Sequence, residues 1–143
     1  MRLLNIYDFT FREFNDADLP PYAIASHRWT KDEITFKDMV KGRRQGSEGY
    51  RKVAGFCHYI RKHNARKAKH NALWESVTWL WMDTACLDKS SSAEISESIV
   101  SMYRYYRRAV LCYVYLADVD YVWSAARGTY EDNFSQSEWF SRG

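Results

Sequence analysis

Val77-Thr-Trp-Leu-Trp-Met-Asp83, the loop Thr84-Ala-Cys-Leu-Asp-Lys-Ser-Ser-Ser92 and Ala109-Val-Leu-Cys-Tyr-Val-Tyr-Leu-Ala117 decide the fold class. The first run is dense in β-branched and aromatic residues and ends on a carboxylate, which predicts a core strand. The third is almost continuously apolar, which predicts a strand buried on both faces. Between them, Ser91 and Glu94 have the spacing of a capping box and open a helix. Ile95, Ile99, Met102, Tyr103 and Tyr106 recur at helical spacing and are expected to form its buried face. Arg104, Arg107 and Arg108 crowd its last turns, where positive charge suits the helix dipole. Strand, helix of about four turns and strand make a βαβ unit, and such crossovers are right-handed.

Upstream, Leu3-Leu4-Asn5-Ile6 and the alternating Phe9-Thr-Phe-Arg-Glu-Phe14, with Asp8 at the turn, read as an N-terminal β-hairpin. Pro20-Pro21 forbids helix and launches an extended segment. Tyr22-Ala-Ile-Ala-Ser-His-Arg-Trp29 follows as a strand, small and apolar in front and polar at its carboxyl end. Ile34-Thr-Phe36 lies in a loop with room for a short strand. From Gly49, the residues Tyr50, Val53, Phe56, Cys57 and Ile60 form the stripe of an amphipathic helix, closed by Asn64 or Asn71. Beyond Asp118 the pattern weakens to an excursion loop or a short irregular helix. The whole chain, 1–143, reads as one α/β domain.

Two polar strand ends fall side by side in such a sheet. They are Ser26-His27-Arg28 with Trp29, and Asp83 with the loop carrying Asp88 and Lys89. Open α/β sheets bind ligands beyond the carboxyl ends of their strands. The expected helix start at Ser91–Ala93 would favour an anion in the same crevice. Cations, carboxylates and the Trp29 ring together suit a nucleotide. The bland alternatives are that Asp83 caps a turn, Asp88 pairs with Lys89 or Arg28, and His27 is a hydrogen-bonded structural residue.

Other function classes find little support. Residues 41–70 hold ten Lys or Arg against one acid, Glu48, but no interleaved aromatics and no nucleic-acid motif. A solvated helix end and loop accounts for them. His58 and His63 are five apart, which is wrong for two ligands on one helix face, so no metal site is expected. GxSxG, Walker A, GxGxxG and HExxH are all missing. Nothing approaches a membrane span or a signal-peptide core. Cys57, Cys86 and Cys112 therefore read as reduced thiols of a cytoplasmic protein. Cys86, near Asp83 and Asp88, is disfavoured as a thiolate by like charge. Aromatics make up 17% of the chain, enough for a ring-rich core or for a surface patch awaiting a partner.

Met1-Arg-Leu-Leu4 with Phe14, Pro20-Pro-Tyr-Ala-Ile-Ala-Ser-His-Arg-Trp29, Ile34-Thr-Phe-Lys-Asp38 and Gly49-Tyr-Arg-Lys52 resemble the opening of the HET (heterokaryon incompatibility) domain of filamentous fungi. Trp81-Met-Asp-Thr-Ala-Cys-Leu-Asp88 through Tyr106, then Cys112-Tyr-Val-Tyr-Leu-Ala-Asp118, looks like that family's most recognisable block. The resemblance implies allorecognition and programmed cell death, as the effector module of a larger protein. It also implies a distant kinship with TIR domains, which have a flavodoxin-like fold and can cleave NAD. The expected fold is thus a TIR/flavodoxin-like, mostly parallel sheet flanked by helices, with the N-terminal hairpin added. Ser26-His27-Arg28 falls where a TIR first strand carries its Ser-Tyr signature, and Trp81-Met82-Asp83 where TIR domains carry Phe-Ile-Asp.

One departure matters. The resemblance places the catalytic glutamate in a Trp-Thr-Leu-Gln-Glu-Leu segment after a Trp-Phe-x-Arg-Gly run. Trp139-Phe-Ser-Arg-Gly143 is that run, so a truncated domain without the glutamate is expected. Ser26, His27, Arg28, Trp29, Asp83, Asp88 and Lys89 are then the expected ligand-binding residues, with NAD as substrate. The alternative is a non-enzymatic module that self-associates or docks other cell-death proteins.

Overall fold

A computed structural model describes residues 1–69, 76–124 and 129–140. Its centre is a five-stranded sheet in the order β2-β1-β4-β3-β5. The strands are β1 (Arg2–Asn5), β2 (Phe11–Glu13), β3 (Tyr22–His27), β4 (Trp79–Trp81) and β5 (Leu111–Tyr115). β3 runs parallel to both β4 and β5, while β1 is antiparallel to β2 and to β4. The sheet is therefore mixed: three parallel strands with the predicted hairpin added along one edge. Asp8 organises the hairpin turn by accepting bonds from the Thr10 amide and hydroxyl, at 2.9 and 2.7 Å.

The helices are α1 (Phe36–Val40), α2 (Glu48–Lys69), the single turn α3 (Asp83–Cys86) and α4 (Ser92–Arg108). α1 replaces the short strand expected near Ile34. Thr35 and Asp38 close a reciprocal capping box that outweighs the β-branched run before it. α2 buries Val53, Phe56, Cys57 and Ile60, as its stripe predicts. Asn64 does not end it. Instead its buried amide exchanges bonds with the backbone of Val77, at 2.8 and 3.2 Å, so the asparagine ties α2 to the approach of β4. Asn71 lies outside the described residues.

Alternation along β3 assigns the helices to opposite faces. Tyr22 donates its phenol to Tyr105 O of α4 at 2.5 Å, and Ser26 meets Tyr106 of the same helix. On the other face, His27 lies 6.4 Å from the Phe56 ring of α2. With both faces covered, Tyr22, Ala23, Ile24 and Ala25 are all buried.

Three expectations fail. β5 is not buried on both faces: it pairs only with β3 at the sheet edge, and Val114 and Tyr115 are exposed. The predicted stripe of α4 is rotated, since Ser98, Ser101 and Tyr105 are buried while Ile99 and Tyr103 face outward. Beyond Asp118 the chain forms an antiparallel hairpin, β6 (Tyr121–Ser124) with β7 (Thr129–Asp132), and a 3₁₀ turn at Phe134–Gln136. The rings, too, divide between core and surface. Trp81 and Tyr22 are buried, whereas Trp29, Tyr59 and Phe140 are exposed. Among the described residues, no helix is long and apolar enough to cross a membrane.

Candidate functional site

The carboxyl ends of β3 and β4 lie side by side, and their side chains interlock. His27 is almost wholly buried, with its side chain 1% exposed. Its Nε2 lies 2.9 Å from Asp83 Oδ1. An ionised carboxylate only accepts, so the ring nitrogen is the donor. Asp83 Oδ2 accepts the Trp29 indole N–H at 2.6 Å, and Oδ1 also accepts the Thr84 amide at 2.7 Å. Lys89 Nζ sits 3.2 Å from the centroid of the Trp29 ring, a cation–π contact. Burial pushes the Asp83 pKa up, but bonds and charge from His27, the Trp29 bond and the Lys89 charge outweigh it. The carboxyl is held below its ordinary value. Burial lowers the Lys89 pKa, with Asp83 and Glu33 opposing.

Behind His27 lies a second carboxylate that the sequence did not single out. Glu33 Oε1 accepts the Thr30 amide at 2.9 Å and the ammonium of Lys52, and lies 3.8 Å from His27 Nδ1. The Glu33 side chain is 10% exposed, and its Oε2 has no hydrogen-bond partner among the described residues. Lys52 is buried within the inner stripe of α2, beside Val53 and one turn before Phe56. A lysine in an apolar stripe was the available signal for it. Glu33 sits in a loop without periodicity and gave none.

Gly49 makes the arrangement possible. A Cβ there would stand 2.3 Å from Ile34 N and 2.5 Å from Asp32 O. With no side chain, the start of α2 docks on residues 32–34 and its amide donates to Asp32 O at 2.9 Å. That contact sets Lys52 against Glu33.

The remaining predicted residues divide. Arg28 pairs with Glu138 across a cavity of about 400 Å³ that is also lined by Tyr115, Leu116, Ala117, Asp118 and Trp139. Asp118 ties this wall together by accepting the Ser137 hydroxyl at 2.9 Å and the Glu138 amide at 2.7 Å. Ser26 faces α4, on the opposite side of the sheet from His27. Asp88 does not join the cluster. It accepts the amide and hydroxyl of Ser90 at 3.0 and 2.7 Å, and lies 3.6 Å from Lys37.

The start of α4 is also not aimed as expected. Ser91 accepts the Glu94 amide at 3.3 Å, but the Glu94 carboxylate turns to Arg2 and the Asp88 amide. Ala93 and Glu94 line a separate cavity of about 270 Å³ with Arg2, Glu13 and Glu97. Cys86 is pushed up to about 12 chiefly by burial, with the like charge of Asp83 a minor contributor.

Fold and site together define an α/β domain with a cluster of charged and aromatic side chains at the carboxyl ends of its parallel strands. The family model of the heterokaryon incompatibility protein (HET) matches residues 22–143, and the chain belongs to that family. It is similar to the vegetative incompatibility protein HET-E-1 of Podospora anserina, at 38% identity over 136 residues. That alignment covers 92% of this chain and 9% of the relative, so the chain spans under a tenth of that protein's length. No solved structure matches the chain.

Proposed function

We propose that this domain is a cell-death effector module of an incompatibility protein, and that its crevice engages a nicotinamide nucleotide. The carrying observation is the convergence of His27, Trp29, Asp83 and Lys89 at two adjacent strand ends, backed by buried Glu33 and Lys52. Family membership supports the incompatibility role. The order β4-β3-β5, with the first parallel strand flanked by the second and third, begins a flavodoxin-like order and supports the TIR kinship.

The neighbouring cavity, of about 400 Å³, lies within the range of small-ligand sites. Tyr115 and Trp139 offer flat walls to a ring, and Arg28 a cation to a phosphate. Hydrolysis of NAD breaks the bond between ribose C1′ and the nicotinamide nitrogen. The electron pair leaves with nicotinamide, and water adds to C1′ and gives up a proton to solvent. Positive charge grows on the ribose in between, and carboxylates near it stabilise that state. Asp83 is kept ionised for such a role, and His27 is held rigidly beside it.

The test is nicotinamide release and NAD binding, measured on this chain and on one carrying the family's Trp-Thr-Leu-Gln-Glu-Leu segment. The expected result is saturable binding by both, lost in His27→Ala, with faster release by the longer chain. Folded protein of both lengths that neither binds nor cleaves NAD would overturn the reading.

A further inference from the structure

The outer face of α4 is apolar where a solvent-facing helix is normally polar. Val100 is 86% exposed, Tyr103 77% and Ile99 65%, and the three form one patch on the side opposite buried Ser98, Ser101 and Tyr105. The N-terminal half of the same face carries only short side chains, Ser92, Ala93 and Ser96, all exposed. Arg107, exposed one turn beyond Tyr103 on this face, is long, but in an antiparallel pair it would overlie the short N-terminal residues of the other helix. Along one flank stand Glu97 and Arg104, two turns apart, exposed and opposite in charge.

We propose that α4 packs antiparallel against α4 of a second copy of this chain, across a two-fold axis beside Val100. Two helices related in this way bring the same flank together in reverse order, so residues equidistant from the axis face each other. Glu97 then meets Arg104 of the partner subunit, and Arg104 meets Glu97 of the partner subunit. Val100 meets its own copy at the centre, with Ile99 and Tyr103 closing over it. A parallel pairing would instead set the flank carrying Glu97 and Arg104 against the opposite flank of the partner helix and lose the complementarity. Arg104 now contacts Ser101 at 3.1 Å and Asp16 at 3.4 Å. The Asp16 contact is half exposed, so turning toward a second copy strands no buried charge. One helix pair is a small interface, and the association is expected to be reversible and concentration-dependent.

Sedimentation equilibrium of the chain over a wide concentration range tests this. Wild type should show a monomer–dimer equilibrium, and Val100→Glu should weaken it by about tenfold or more. Glu97→Arg and Arg104→Glu should each weaken it, and the two together should restore it. Both positions are exposed, so this charge-reversal set remains decisive even if Val100→Glu misfolds. A wild type that stays monomeric throughout would overturn the proposal. So would a dimer indifferent to Val100→Glu in a folded variant, or a double reversal no better than the single ones. The last two outcomes would assign the patch to another occupant, such as a different domain or protein.

Discussion

His27 Nε2 and Asp83 Oδ1 stand 2.9 Å apart and join the carboxyl ends of two parallel strands that are far apart in sequence. The contact serves the fold as much as any ligand. The Asp83 carboxylate also holds the Trp29 indole and the Thr84 amide, so one side chain fixes the direction of three segments.

Asp83→Asn should therefore destabilise the protein, by about 1–3 kcal/mol for partly buried donors left without a charged acceptor. Urea unfolding at neutral pH measures this. The sign of the pH dependence follows from the lowered carboxyl pKa. The contribution of Asp83 is fully present above the unfolded value of about 3.9 and is lost as pH falls through the lower folded value. Below about pH 4, wild type should lose stability more steeply than Asp83→Asn.

Lys52 and Glu33 test a buried ion pair. Lys52→Met should cost about 3–5 kcal/mol, because it leaves Glu33 buried without its counter-charge. Adding Glu33→Gln should return part of that loss, so the double variant is more stable than the sum of the two single ones implies. Strict additivity in thermal or urea unfolding would mean that the two groups do not act as a pair.

Gly49→Ala should be costly although the change is a single methyl. Its Cβ would meet backbone atoms of Ile34 and Asp32 rather than a side chain that could turn away. A loss of about 1–3 kcal/mol is expected from such overpacking. Gly55 is the internal control. It lies in the same helix, its Cβ would meet nothing within 4 Å, and Gly55→Ala should be neutral or stabilising.

Thiol labelling separates the three cysteines. Cys112 is exposed, while Cys57 and Cys86 are buried and both are pushed up to about 12 by burial. An aromatic disulfide reagent should label one thiol per native chain and all three after denaturation.

The parallel strands could be read in the sequence because each is a compact apolar run that ends on polar residues. That pattern gave Ser26, His27, Arg28, Trp29, Asp83, Asp88 and Lys89 as one group, of which His27, Trp29, Asp83 and Lys89 meet. Strand order left less trace. β5 is as apolar as an interior strand yet occupies the sheet edge, and composition alone does not state how many neighbours a strand has. α4 misled for a different reason. Trp81, with Tyr105 5.4 Å away, fills the layer between sheet and helix, so serine suffices at two inward positions. The apolar stripe was consequently assigned to the wrong side. Glu33 was invisible because its partner Lys52 arrives from another element.

The placement of β3 between β4 and β5 bears on how the protein is made. Tyr22–His27 emerges from the ribosome before either of its neighbours: Ala23 pairs with Leu80 on one side and Leu111 on the other. Until β4 and β5 have been made, the most buried strand of the domain lacks its neighbours. Folding of the sheet must wait until β5 has been translated, and in that interval the nascent chain offers chaperones an apolar segment at Tyr22–Ala25.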